Sequence, residues 1–159
     1  MDIFEQIKRD SLAGVKKACK EIDDINAIRT ESGDSVLRSA IKNKVSLEIF
    51  VFLVEQGADI YEIDEEGVGI IDDAIKKGRL DIVKFLVESG IDPNTTKRKS
   101  GFTPLMAAMA YGDEAITRYL VEECNVDTEV LDTFEKSARD YAKMTGYEHL
   151  INILEKRGK

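Results

Sequence analysis

"SGFTPLMAAMAYG", residues 100–112, is the stretch on which the reading of this chain turns. Ser100 and Gly101 supply a turn. Thr103 has the hydroxyl that a helix start wants, and Pro104 fits the first helical turn because its missing N–H has no intrahelical partner there. Ala107 and Ala108 thin one helix face so that a neighbouring helix can approach closely. Gly112 closes the segment. Such a stretch is either an active-site loop or a structural unit. A structural unit should recur.

It recurs. Gly33, Gly67 and Gly101 are spaced 34 residues apart, and so are Ala40, Ala74, Ala108 and Ala142. Gly78, Gly112 and Gly146 keep the same step, and Leu53, Leu86, Leu120 and Leu154 follow at 33, 34 and 34. Four columns on one period mark a repeat array. Each unit begins with a turn ("ESGD", "EEGV", "KSGF", "TFEK"). A first helix with a small-residue stripe follows, expected at 35–43, 69–77, 103–111 and 137–145. A more apolar second helix comes next, at 47–55, 81–88, 114–123 and 148–155. The exits "GADIYE", "GIDPNT" and "NVDTEV" complete the units, with Gly57 and Gly90 where a helix C-terminus wants positive φ. Single-residue insertions fall near 43–53, 90–101 and 124–127.

The first thirty residues read as a degenerate unit, "IFEQIKRD" then "LAGVKKACKEI". Lys8, Arg9 and Asp10 give it the polar outer face of a terminal cap. Glu155, Lys156 and Arg157 do the same at the other end. The resulting division is a capping unit at 1–29, repeats at 30–63, 64–97 and 98–131, and a fourth repeat that doubles as C-terminal cap at 132–159. All belong to one domain.

This pattern resembles the ankyrin repeat family. "GFTPLMAA…G" is close to that family's turn and first helix, and "LDIVKFLVESGIDPN" is similar to its second helix and hairpin start. The third repeat fits best. The second has Gly69-Ile70 for Thr-Pro, the first has Ser35-Val36 there and Lys44 for a glycine, and the fourth has Glu135 for the turn glycine and Arg139 for the leucine. The resemblance implies an all-α solenoid of stacked helix-turn-helix units with short β-hairpin-like loops.

Charge and composition exclude other classes. The chain carries a formal net charge of −8, which opposes binding to a phosphate backbone. The apolar run 49–54 is far too short to span a membrane, and no other run approaches the length needed. The start "MDIFEQIKRD" lacks the features of a signal peptide. Cys19 and Cys124 match no metal spacing and are expected to be reduced, in a cytoplasmic protein. A monomer is expected.

No catalytic constellation emerges. His149 is the single histidine, so a nucleophile–base–orienter triad has little to draw on. "GVG" at 67–69 lacks the lysine and hydroxyl of a phosphate loop. Asp72-Asp73 and Glu122-Glu123 point in different directions on their helices. One acidic turn, 62–73, offers Glu62, Asp64, Glu66, Gly67 and Asp73 at the offsets of a calcium loop. Its first ligand should be Asp and its last Glu, and the repeat register puts a helix through its second half. A ligand- or calcium-responsive regulator using this turn is the alternative reading. The expectation is a non-enzymatic protein without cofactor or metal.

The resemblance implies protein-protein interaction, on a concave face built from turn tips and first helices. The tip residues are Ser32, Asp34, Glu65, Glu66, Val68, Lys99, Ser100, Phe102 and Lys136. The helix positions are Lys42, Asn43, Lys76, Lys77, Ala110, Tyr111, Met144 and Thr145. The expected partner site draws on twelve of these: Asp34, Lys42, Asn43, Glu65, Glu66, Lys76, Lys77, Lys99, Phe102, Ala110, Tyr111 and Met144. Lysines giving way to Tyr111 and Met144 suit a partner with an acidic end and an apolar end. A small adaptor or inhibitor is the implied role.

Overall fold

The computed structural model of the chain describes residues 1–157, with side chains through residue 155. Lys156 and Arg157, expected to contribute to the terminal cap, have side chains outside that range. The elements are helices α1 (Ile3–Lys8), α2 (Leu12–Cys19), α3 (Val36–Lys42), α4 (Leu47–Glu55), α5 (Ile70–Lys76), α6 (Leu80–Glu88), α7 (Pro104–Ala110), α8 (Glu114–Arg118), α9 (Ala138–Thr145) and α10 (Ile151–Arg157). A π-helical turn, Tyr119–Glu123, extends α8, and a 3₁₀ turn, Glu148–Leu150, leads into α10. Among the described residues there is no strand, and no helix is long and apolar enough to cross a membrane. The chain divides into two compact units, Met1–Glu62 and Ile63–Lys159.

Each first helix starts at one period-34 position: Ser35, Gly69, Thr103 and Ser137. Three of these cap by hydroxyl. Ser35 accepts from the Arg38 N–H, Thr103 from the Met106 N–H and Ser137 from the Asp140 N–H, each at 3.2 Å. Gly69 has no hydroxyl to offer. There the Asp72 carboxylate reaches back to the Gly69 N–H at 2.7 Å, the reciprocal half of a capping box.

Between paired helices the chain must reverse within a few residues, which requires a left-handed residue. Gly78, Gly112 and Gly146 supply it at φ 68°, 73° and 85°. Lys44 takes the same conformation at φ 55°, so losing the glycine does not lose the turn. The turn tips behave alike. Gly33, Gly67 and Gly101 have positive φ, and Glu135 holds the fourth tip at φ 59°. Its strain is offset by Asp132, whose carboxylate accepts from the Phe134 and Lys136 N–H groups at 2.9 and 3.0 Å.

The expected hairpin-like loops are reduced to scattered bonds. One antiparallel bridge joins Ile63 and Gly69. Neighbouring tips are linked by single contacts, Lys99 N–H to Glu66 C=O and Thr133 N–H to Ser100 C=O, both 2.9 Å.

The second helix expected at 114–123 is not uniformly α. Ala58 N–H bonds Leu53 C=O and Ile91 N–H bonds Leu86 C=O, whereas the matching bond in the third repeat spans one residue more, Val126 N–H to Leu120 C=O. The extra residue is taken up by widening the turn, with Cys124 N–H on Tyr119 C=O at 3.0 Å and Asn125 left-handed at φ 53°. The insertion expected near 124–127 is thus absorbed just upstream.

Within each unit the apolar columns form the core. Ala40, Ala74, Ala108 and Ala142 are fully buried, as are Leu53, Leu86 and Leu120, and Leu154 is 7% exposed. In the first unit α1 packs on α2 and α3, and α2 on α4; in the second α7 packs on α5 and α9. Lys8, Arg9 and Asp10 are all exposed, as a cap requires.

Leu86→Ala should destabilise the second unit by roughly 2–5 kcal/mol in urea denaturation. Gly67→Ala and Gly146→Ala impose similar φ strain. At Gly67 a Cβ would lie 1.9 Å from the Lys97 carbonyl oxygen, while at Gly146 it would meet nothing within 4 Å. Gly67→Ala should therefore cost more than Gly146→Ala by at least about 1 kcal/mol in the same measurement.

Candidate functional site

In the first unit the turn at 30–34 is closed by Thr30 N–H to Asp34 C=O at 3.0 Å. The Asp34 carboxylate then takes the Ser32 hydroxyl at 3.0 Å and the Lys42 ammonium at 2.6 Å. Asn43 is held by its amide on the Ser39 carbonyl at 2.8 Å. These groups line a groove of about 630 Å³ together with Phe4, Lys8, Arg29 and Glu31. Three expected site residues, Asp34, Lys42 and Asn43, are thereby brought together. The charge of Lys42 is already met by Asp34, so it does not serve as an open cation.

The acidic turn at 62–73 does not assemble as a calcium loop. Glu62 accepts from the Arg29 guanidinium at 2.9 Å and from the Ser35 hydroxyl. Asp64 spends one oxygen on its own turn, accepting from the Glu66 and Val68 N–H groups at 2.9 Å. Residues 70–76 are α5. Among the described residues no group of three or more His, Cys, Asp or Glu could hold a metal ion. The reading of 62–73 as a metal sensor is corrected on these grounds: Glu62 is taken by Arg29 and Ser35, Asp64 closes its own turn, Asp73 lies within a helix, and these carboxylates do not converge.

In the second unit Glu65, Glu66, Lys76, Lys77 and Lys99 are exposed. Tyr111, at the end of α7, is 48% exposed and Met144, near the end of α9, 65%. Ala110 is half-buried.

Phe102 stands differently from expectation. The Arg98 guanidinium lies 4.8 Å from its ring centroid, and Tyr141 meets it edge to face, centroids 5.0 Å apart and planes at 89°. The Tyr141 hydroxyl donates in turn to the Asp132 carboxylate. Phe102 is half-buried in a chain of contacts that ties the third tip to the fourth repeat, so its main partner is internal. Asp132 is buried. Burial works to raise its pKa, but the bonds from Tyr141, Lys136 and Phe134 outweigh that and hold it below its ordinary value. Burial and the same hydrogen bond push Tyr141 up to about 12. The Cys19 and Cys124 thiols are unpaired with each other, and burial pushes both up.

Of the exposed apolar residues outside the expected site, Met1, Tyr61, Ile63, Leu131, Phe134 and Tyr147, two share one tip. Phe134 is 68% exposed and Leu131 57%, both on the fourth tip. Phe134 occupies the repeat position of Ser100, one the repeat leaves free, and that register was the signal that could have found it.

Comparison with known proteins gives a consistent result. Residues 71–121 match the family model described as ankyrin repeats (many copies). The chain is 32% identical over 102 residues to the NF-kappa-B inhibitor cactus of Drosophila melanogaster, covering 64% of this chain and 20% of cactus. It is 30% identical over 122 residues to the putative ankyrin repeat protein FPV014 of fowlpox virus, 77% of this chain and 28% of that one. It is 29% identical over 119 residues to the probable 26S proteasome regulatory subunit p28 of Saccharomyces cerevisiae, 75% of this chain and 51% of p28. The chain thus spans about a fifth of cactus and about half of p28.

Tyr141→Phe keeps the ring on Phe102 and removes the donor to Asp132. It should cost about 1–3 kcal/mol near neutral pH. Because the folded pKa of Asp132 is depressed, its contribution is present above the unfolded value and lost as pH falls through the folded one. The gap between wild type and Asp132→Asn should therefore close between pH about 5 and the acid limit, read by urea denaturation as a function of pH.

Proposed function

This chain belongs to the ankyrin-repeat family, and on that premise we propose that it is a protein-binding module, acting as an adaptor or inhibitor of a partner protein. One observation carries the reading. The repeat fixes its caps, turns and apolar columns, and in the first-helix slots it leaves free the second unit exposes two large apolar side chains, Tyr111 and Met144. Tyr111 and Met144 lie at the ends of first helices α7 and α9, which pack together, and the exposed Lys76 and Lys77 end α5, which packs on α7. An exposed tyrosine and methionine next to cations is a surface on which a partner can anchor.

Catalysis is the weaker reading of the same surface. The perturbed groups of the second unit are met by internal partners: Asp132 by Tyr141, Cys124 by Tyr119, Asp81 by Arg79 and Asp140 by Ser137. Burial and those bonds account for their shifts without any substrate. Among the relatives, cactus is named an inhibitor and p28 a regulatory subunit. Both names are of a kind with a role in binding.

Affinity capture from the native cell, with wild type beside Tyr111→Ala/Lys77→Glu, tests the proposal. Both side chains are exposed, so the double variant should melt with the wild type. The expected result is a protein retained by wild type and lost by the variant. An identical set of retained proteins contradicts a partner face at these positions.

A further inference from the structure

We propose that the third and fourth turn tips form a docking surface for an acidic segment of the partner that carries one apolar residue. This rests on the protein-binding reading and names the chemistry of the partner. The third tip reads Lys97-Arg98-Lys99, a concentration of positive charge in a chain of net charge −8. The three side chains are placed differently. Arg98 is half-buried and lies on the Phe102 ring, while Lys97 and Lys99 on either side are exposed. Phe102 is braced by Tyr141, and Tyr141 by Asp132, so the residue between the two lysines is fixed from within. The lysines therefore project from a held backbone rather than a loose loop, which lowers the ordering cost of meeting a ligand.

The acidic side chains nearby do not pair directly with these lysines. Among the described residues, ion pairs within 4.0 Å involve neither Lys97 nor Lys99. Asp132 is buried on Tyr141 and its own turn. Glu66, on the second tip, and Glu135, on the fourth, are exposed and flank the lysines. They repel a long acidic run and confine a short one to the third tip.

The apolar half of the surface is adjacent. Ser100 C=O accepts from Thr133 N–H at 2.9 Å, so the third and fourth tips are joined directly. Phe134 follows Thr133 and is 68% exposed, with Leu131 at 57%. Stacked units lie about 10 Å apart and an extended chain rises about 3.3 Å per residue. The acidic and apolar residues of the partner are then separated by about three positions. Length selects this occupant over a nucleic acid: a continuous phosphate backbone would run past the third tip onto Glu66 and Glu135, which a short acidic segment avoids.

The test uses the full chain, labelled with nitrogen-15, and the acetylated peptide Glu-Asp-Glu-Ser-Ser-Leu-Ser. Amide shifts should move at residues 97–101 and 131–135 and respond to added salt. Lys97→Glu/Lys99→Glu should weaken the affinity by about tenfold, as reversal of two exposed charges implies. Phe134→Ser, or Ser for Leu in the peptide, should weaken it without changing the salt response. All altered residues are exposed, and an unchanged spectrum elsewhere reports an intact fold. The proposal is overturned if millimolar peptide moves none of these amides or if the charge-reversed variant binds as well as wild type. It is equally overturned if Lys-Arg-Lys-Ser-Ser-Leu-Ser or oligouridylate binds as tightly. If those results appear while capture still depends on Tyr111 and Lys77, the binding module stands and this docking surface does not. If the peptide binds as described while capture is indifferent to Tyr111 and Lys77, the docking surface stands and the helix-end face does not.

Discussion

No described helix of this protein is long enough to hold itself together. The described helices run from five to nine residues, and isolated helices below about 12–15 residues are marginal in water. Each exists because a neighbour covers its apolar side. That constraint fixes the rest. Helices must come in tight pairs, so a left-handed residue recurs between them. Pairs must pack closely, so alanine recurs at the contact. Each first helix must start at one level, so a capping hydroxyl recurs at Ser35, Thr103 and Ser137, with the Asp72 carboxylate on the Gly69 N–H at the remaining start.

The same constraint explains why departures from the pattern are tolerated. What the fold needs at each column is a conformation or a hydrogen bond, and more than one residue can provide it. Lys44 and Glu135 adopt the turn that glycine makes elsewhere. Where Gly69 has no hydroxyl to cap its helix, Asp72 secures the helix start by accepting from the Gly69 N–H. The extra residue of the third repeat becomes a π turn and leaves Leu120 and Val126 buried. Stability is assembled from neighbour contacts, so one irregular unit is carried by those beside it.

Period, helix pairs, caps and core columns were legible in the sequence because each is a repeated local requirement. The π turn was legible only as an inserted residue, since spacing records an insertion without saying how the backbone takes it up. The candidate site was less legible for a related reason. Tyr111 and Met144 could be placed on the surface by register. Phe102 could not be assigned to the interior, because its partners Arg98 and Tyr141 lie on its own tip and in the next repeat, and the stack depends on side-chain geometry. Phe134 was obscured by a turn that had lost its glycine. Glu62 looked like a ligand in sequence and is occupied by Arg29 and Ser35, which no local pattern records.

The account holds that the repeated residues build the fold and that the slots between them carry recognition. Hydrogen exchange on the full chain, with and without its captured partner, tests this most directly. Protection is predicted at residues 76–78, 97–102, 110–112, 131–136 and 144–146, the third and fourth tips and the first-helix ends of the second unit. Protection confined instead to the second helices, Leu80–Glu88 and Glu114–Arg118, would place the partner on the opposite side of the repeat and contradict the account.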